Sequence, residues 1–208
     1  MFTAMIKGAT VLTFLVLGSA VQANQWNLTK SFTTQYGNPH GPWRYGASIT
    51  NATPLFVYRD STQNMWSDSA LNQSDPLLGI LTPSVYRSGS QVFIKPLPIG
   101  YQVNGNWSVV EFTMPATGTY RMWGMFGAGE PGAVDVEITS SVRADLFVRR
   151  GLGGDASFDF ITAGLLGERI RFSAGASASL PNSHLSGTPL DLNILLIPVA
   201  PPAPWIRG

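Results

Sequence analysis

Between Val134 and Thr139 apolar and polar side chains alternate without interruption, Val-Asp-Val-Glu-Ile-Thr. A period of two suits a half-buried strand and not a helix, whose faces repeat every three to four residues. Val134, Val136 and Ile138 fall on one face and Asp135 and Glu137 on the other. Similar short segments recur, each bounded by Gly, Pro, Asn or Asp. Trp43 to Ala47 follows the turn Asn38-Pro39-His40-Gly41-Pro42, and Leu55 to Tyr58 comes next. Ser90 to Ile94 is ended by Pro96 and Pro98, and Ser108 to Thr113 leads through a short turn to Thr119 to Phe126. Ala144 to Arg149, Ala156 to Ile161, Glu168 to Ser173 and Leu190 to Ile197 complete the series. Turn signals roughly 8–12 residues apart are the spacing of an antiparallel sandwich. Only Asn64 to Leu71 reads as a helical turn or two, and Thr162 to Leu166 as a short connector.

The first 23 residues follow another logic. Lys7 precedes an apolar run from Ala9 to Leu17, then Gly18-Ser19 and the small-residue pattern Val21-Gln22-Ala23. This is the layout of a cleavable signal peptide, too short to span a bilayer comfortably. The domain plan is therefore a signal peptide over 1–23, a β-sandwich over 25–197 and a proline-rich tail over 198–208, in a secreted or periplasmic protein. Prolines 198, 201, 202 and 204 lack the N–H a sheet needs, so the tail is expected to be extended and exposed.

The remaining chain excludes several functions. Of 13 Lys+Arg, Lys7 leaves with the leader, so 12 cations face 12 Asp+Glu. With no basic cluster, nucleic acid is not an expected partner, nor is anionic lipid. No later apolar run approaches about 18 residues, so no membrane span is expected in the mature chain. Cysteine is absent and only His40 and His184 are present, which leaves little room for a thiolate or imidazole metal site; the loop acids Asp60, Asp68, Asp75 and Asp155 form no dense calcium loop, and neither a metal nor a cofactor is assigned. No G-x-S-x-G elbow occurs. The carboxylate pairs Asp135/Glu137 and Asp155/Asp159 read as solvent-facing strand residues rather than as a glycosidase pair. The chain is not expected to be an enzyme.

Aromatic residues carry the binding hypothesis. Trp43 and Tyr45 share a strand face and read as core. Trp66, in Asn64-Met65-Trp66-Ser67-Asp68, Tyr86 before Arg87-Ser88-Gly89, and Trp107 after Asn104-Gly105-Asn106 sit in polar surroundings. They are the expected ligand-stacking rings, with Arg59 and Arg87 as hydrogen-bond donors, although Trp107 could equally be the first core residue of its strand. The leading function is a non-catalytic module for glycan or polysaccharide at the cell exterior. The alternative is a structural or adhesive envelope or matrix protein working through protein–protein contact.

Three blocks resemble a family of exported bacterial β-sandwich proteins, many of which end in a PEP-CTERM sorting tail. They are Asn38-Pro39-His40-Gly41-Pro42-Trp43-Arg44-Tyr45-Gly46, then Val110 to Tyr120 followed by Trp123-Gly124-Met125-Phe126, and Phe158 through Leu165-Leu166-Gly167-Glu168-Arg169-Ile170-Arg171-Phe172 to Asp191. The resemblance implies an all-β antiparallel sandwich of jelly-roll type, preceded here by the cleavable signal helix. Two features depart from the pattern. Lys95-Pro96-Leu97 replaces a histidine-proline-glycine strand end, and Ile197-Pro198-Val199-Ala200-Pro201 stops where the sorting tail would begin.

Overall fold

The computed structural model describes residues 24–48, 56, 58–60, 64–67, 74–75, 79–80, 83–96, 107–128, 134–143, 145–177 and 187–198. In chain order the elements are β1 (Gln25–Asn27), α1 (Leu28–Ser31), β2 (Trp43–Ser48), β3 (Tyr58–Asp60), β4 (Met65–Ser67), β5 (Ser74–Asp75), β6 (Gly79–Ile80), β7 (Ser84–Ser88) and β8 (Gln91–Lys95). They continue with β9 (Trp107–Thr113), β10 (Gly118–Phe126), β11 (Val134–Ser140), β12 (Phe147–Leu152), β13 (Ala156–Gly164), β14 (Arg169–Ala176) and β15 (Thr188–Ile197).

One sheet has eight strands, in the order β13-β10-β15-β8-β7-β4-β3, with β1 also paired to β15. The other has five, in the order β12-β11-β14-β9-β2, and β5 and β6 form a separate ribbon. From β8 onward the chain keeps changing sheets: β8, β10, β13 and β15 lie in one, β9, β11, β12 and β14 in the other. Most connections therefore cross the sandwich rather than closing a hairpin. The alternation read from Val134 to Ile138 holds, since all three apolar residues of that strand are buried and Asp135 and Glu137 are not.

The architecture expected from the sequence, a jelly roll behind a cleavable signal helix, is corrected to an all-β antiparallel two-sheet sandwich. Among the described residues the only helix is α1, four residues long. Asn27 caps it by accepting from Lys30 N, and Phe32 returns to extended backbone after a single turn. Residues 1–23, where the signal helix is expected, lie outside the described set, as does the tail beyond Pro198. The helical turn expected from Asn64 is also corrected. Met65–Ser67 is strand β4, buried throughout and paired on both sides, and residues 68–71 lie outside the described set. The connector expected from Thr162 belongs instead to β13, which runs to Gly164. Of the strand expected from Leu55 to Tyr58, residues 55 and 57 are not described, and pairing starts at Tyr58.

Phenylalanines join the two sheets in the core. Phe158 of β13 lies 5.7 Å from Phe126 of β10 and 5.9 Å from Phe172 of β14, ring centre to ring centre. At the other end Phe112 takes Trp43 and Trp26 edge-on at 5.1 and 5.2 Å. Burying rings of this size contributes roughly 1.5–3 kcal/mol each, so these contacts dominate the packing. The turn before β2 is fixed by one side chain. Asn38 Nδ2 donates to the carbonyls of Tyr45 and Phe56, and its Oδ1 accepts from Tyr45 N.

A polar latch closes one end of the sandwich. Glu168, nearly buried, accepts from Arg143, from Ser140 Oγ and from Leu165 N. Arg143 also reaches Thr162 Oγ1 and the Ala163 carbonyl on edge strand β13. Burial opposes the charged form of Glu168, but these hydrogen bonds and the Arg143 charge outweigh it and hold the carboxyl below its ordinary value of 4.5. The latch also sets the turn Leu165–Gly167, where Gly167 takes φ 81°, a conformation that suits glycine. Leu165 and Leu166 are left standing in solvent.

Candidate functional site

The three rings expected to form one site point in three directions. Trp66 is 4% exposed, packs in the core and donates its indole N–H to Thr33 O at 2.9 Å. It is not available to a ligand, because the polar residues beside it in sequence belong to a strand that is buried throughout. Tyr86 is half-buried and stacks on Phe93 at 5.1 Å with an interplanar angle of 7°. By strand alternation both project from the outer face of the eight-stranded sheet, opposite to Val85, Val92 and Ile94 in the core. Arg87 turns its Nε onto Gly89 O. Arg59 stands opposite Trp66 in the β3–β4 pair, and its side chain lies outside the described set.

Trp107 is on the outer face of the five-stranded sheet. The ring is covered by its neighbours there. A Cβ added to Gly175 would run into the indole, so the ring lies directly on the β14 backbone. Arg150 sits over the same ring, 5.5 Å from its centre, and contacts Glu137 at 3.3 Å and Asp135 at 3.7 Å. In the next rows Val109 and Glu111 are 0% exposed and Ser173 is 4% exposed. Strand register puts Arg44 and Arg171 on either side of Glu111, at 3.2 and 3.0 Å, with Arg169 at 3.9 Å. The Glu111 carboxylate and Arg171 are buried, while Arg44 and Arg169 keep 25% and 39% of their side chains exposed at the rim of the cluster.

The outer face formed by β13, β10 and β15 is open. Thr119, Arg121, Ser157, Asp159, Ile161, Ala163 and Asp191 are all exposed. Trp123 stands in the middle, half-buried, directly opposite Asp159 on one side and Asn193 on the other. Arg121, two residues earlier on the same face, lies 5.2 Å from the indole centre. It is held by two hydrogen bonds to Asp159, at 2.9 and 2.6 Å. The hydrogen bonds from Arg121, aided by its charge, outweigh desolvation and hold the Asp159 carboxyl below its ordinary value, and they raise Arg121 in turn. Asn193 accepts from Asn27 Nδ2 at 2.8 Å, so its own NH2 remains to donate. Asp191, diagonal to Trp123, has no ion-pair partner among the described residues. One ring is thus flanked by carboxylates and an amide on neighbouring strands about 4.8 Å away, and by a guanidinium two residues along its own strand.

Sequence reasoning missed this group, although a signal was present. In Thr119-Tyr120-Arg121-Met122-Trp123 the tryptophan shares its phase with Thr119 and Arg121, not with Tyr120 and Met122, which are buried. An aromatic in the polar phase of a strand is the mark of an exposed ring.

A concave surface lies at the end of the sandwich. One chamber, about 450 Å³, is mostly apolar and includes Pro42, Met114, Pro115 and Leu166 in its walls. A second, about 300 Å³, includes Lys30, Tyr36 and His40. Trp26, Gly41 and Pro42 line both, so the two form one groove. Tyr36 stacks on His40 at 4.7 Å and 14°. Among the described residues, neither chamber has a carboxylate in its walls. Among the described residues no group of three or more His, Cys, Asp or Glu could hold a metal ion. No helix among them is long and apolar enough to cross a membrane.

No family model matches the chain, so the resemblance to sorting-tail proteins gains no support there, and no curated protein matches either. Among solved structures it is similar to a family 35 carbohydrate-binding module from Clostridium thermocellum, at 11% identity and a TM-score of 0.31, over 64% of this chain and 89% of that one. A family 35 module from an environmental isolate is similar at 12% identity and a TM-score of 0.29, over 47% and 73%. An isomalto-dextranase from Arthrobacter globiformis T6, complexed with panose, is similar at 11% identity and a TM-score of 0.30, over 74% of this chain and 23% of that one. Similarities this weak assign no ligand to the chain.

Proposed function

We propose that this protein is a non-catalytic module at the cell exterior that binds a neutral polysaccharide on the open face of its eight-stranded sheet. The observation that carries the reading is the row Asp159–Trp123–Asn193, an accessible ring with hydrogen-bonding groups on both sides. The apolar C–H face of a pyranose packs on an aromatic ring, and its hydroxyls need donors and acceptors at the ring's edges. Asp159 and Asp191 accept from hydroxyls, while Asn193 and Arg121 donate to them. Around the ring two carboxylates stand against one guanidinium, a local negative excess that disfavours uronate or sulfated chains there. Trp66 and Trp107 take no part in this reading, and Tyr86 lies toward the β7 side of the same sheet.

Affinity electrophoresis against neutral and acidic polysaccharides tests the reading. The full chain is expected to be retarded by a neutral polymer, and Trp123→Ala to abolish the retardation with its thermal midpoint nearly unchanged. Retardation that survives Trp123→Ala, or that occurs only with acidic polymers, would overturn the assignment.

A further inference from the structure

The groove at the end of the sandwich lies where the chain leaves its last strand. Ile197 pairs with Thr119, and Leu196 N donates to Asn24 O, two residues before Trp26. Thr117, two residues before Thr119, accepts from Leu166 N through its hydroxyl. Pro198, the residue after Ile197, is exposed. The chain then continues Val-Ala-Pro-Pro-Ala-Pro-Trp-Ile-Arg-Gly, residues 199–208.

The composition of this segment matches the groove. Prolines offer rings and no N–H, so a proline-rich strand asks little hydrogen bonding of its receptor and docks on flat apolar side chains. The groove supplies such side chains in Trp26, Tyr36, Pro42 and Leu166. Tyr36 and Leu166, 57% and 70% exposed, are among the few large apolar side chains left in solvent by the described residues. A covering segment would remove that exposure. Ten residues in a polyproline helix reach about 30 Å, ample to cross both chambers.

We propose that residues 199–208 of the same chain dock in this groove, with the proline rings along Pro42 and Leu166 and Trp205 against Trp26 and Tyr36. The groove is then an intramolecular receptor, separate from the open sheet face, and the inference does not depend on polysaccharide binding.

Photo-crosslinking of the full chain carrying Trp205→benzoylphenylalanine tests it. Expected are crosslinks within one chain to residues 26–43, 113–115 or 165–167, with a yield independent of protein concentration. Leu166→Glu, at an exposed position where folding is not at stake, is expected to lower that yield roughly tenfold. Crosslinks elsewhere in the chain, crosslinks only between chains, no crosslinks, or an unchanged yield with Leu166→Glu would each overturn the proposal.

Discussion

Each sheet carries one tryptophan on its outer face beside an arginine that carboxylates hold, yet the two faces have different fates. On the five-stranded sheet Trp107 lies on the Gly175 backbone under Arg150, and neighbouring Val109 and Glu111 are fully sealed. On the eight-stranded sheet Trp123 stands beside Arg121 and Asp159, both exposed. The same trio of residue types is packing in one place and an accessible surface in the other. What differs is the surrounding rows, because a glycine that admits the ring to the backbone and buried neighbours turn an aromatic inward.

The comparison breaks most visibly at the charged cluster of the closed face. Glu111→Ala strands Arg44 and Arg171 without their shared carboxylate and should cost about 3–5 kcal/mol, read as a lower urea midpoint. A change too small to measure would mean that this face is open after all. Next in size is Gly175→Ala, whose added methyl meets the Trp107 indole. The ring must move, at about 1–3 kcal/mol, seen as a clear fall in melting temperature.

The Glu168 latch should produce a smaller, pH-dependent effect. Its carboxyl is held below 4.5 in the folded protein, so its contribution is complete above that pH and is lost as pH falls through the lower folded value. Urea midpoints measured from about pH 6 to about pH 3 should fall more steeply for the natural chain than for Glu168→Gln. Parallel curves would remove the latch from the stability account. Smallest of all is Asp159→Ala on the open face, which should leave the urea midpoint unmoved while weakening polysaccharide retardation. A large loss of stability would show that this face is structural too.

Much of the sandwich was legible in sequence because alternation reports burial directly. β11 was plain from Val134, Val136 and Ile138, and β9, β10 and β15 lie within two residues of the segments read as strands. β4 was not legible, since Met65-Trp66-Ser67 is buried on both sides and has no polar phase to reveal its period. The same three residues explain the misplacement of Trp66, because polar neighbours in sequence do not report exposure for a strand enclosed by its partners. Trp107 reads in sequence as a stacking ring or as the first core residue of its strand, and what covers it, Gly175 of β14 and Arg150 of β12, lies far away in sequence. Trp123 was readable from its phase with Arg121, whereas its partners Asp159 and Asn193 depend on a strand order that only the fold supplies.

Nitrogen-15 NMR of the tryptophan indoles, titrated with a soluble oligosaccharide of the retarded neutral polymer, reads the two faces of the sandwich separately. The Trp123 resonance should shift saturably while Trp107 and Trp66 stay in place. A titration that moves Trp107, or leaves Trp123 unmoved while binding occurs, would contradict the account.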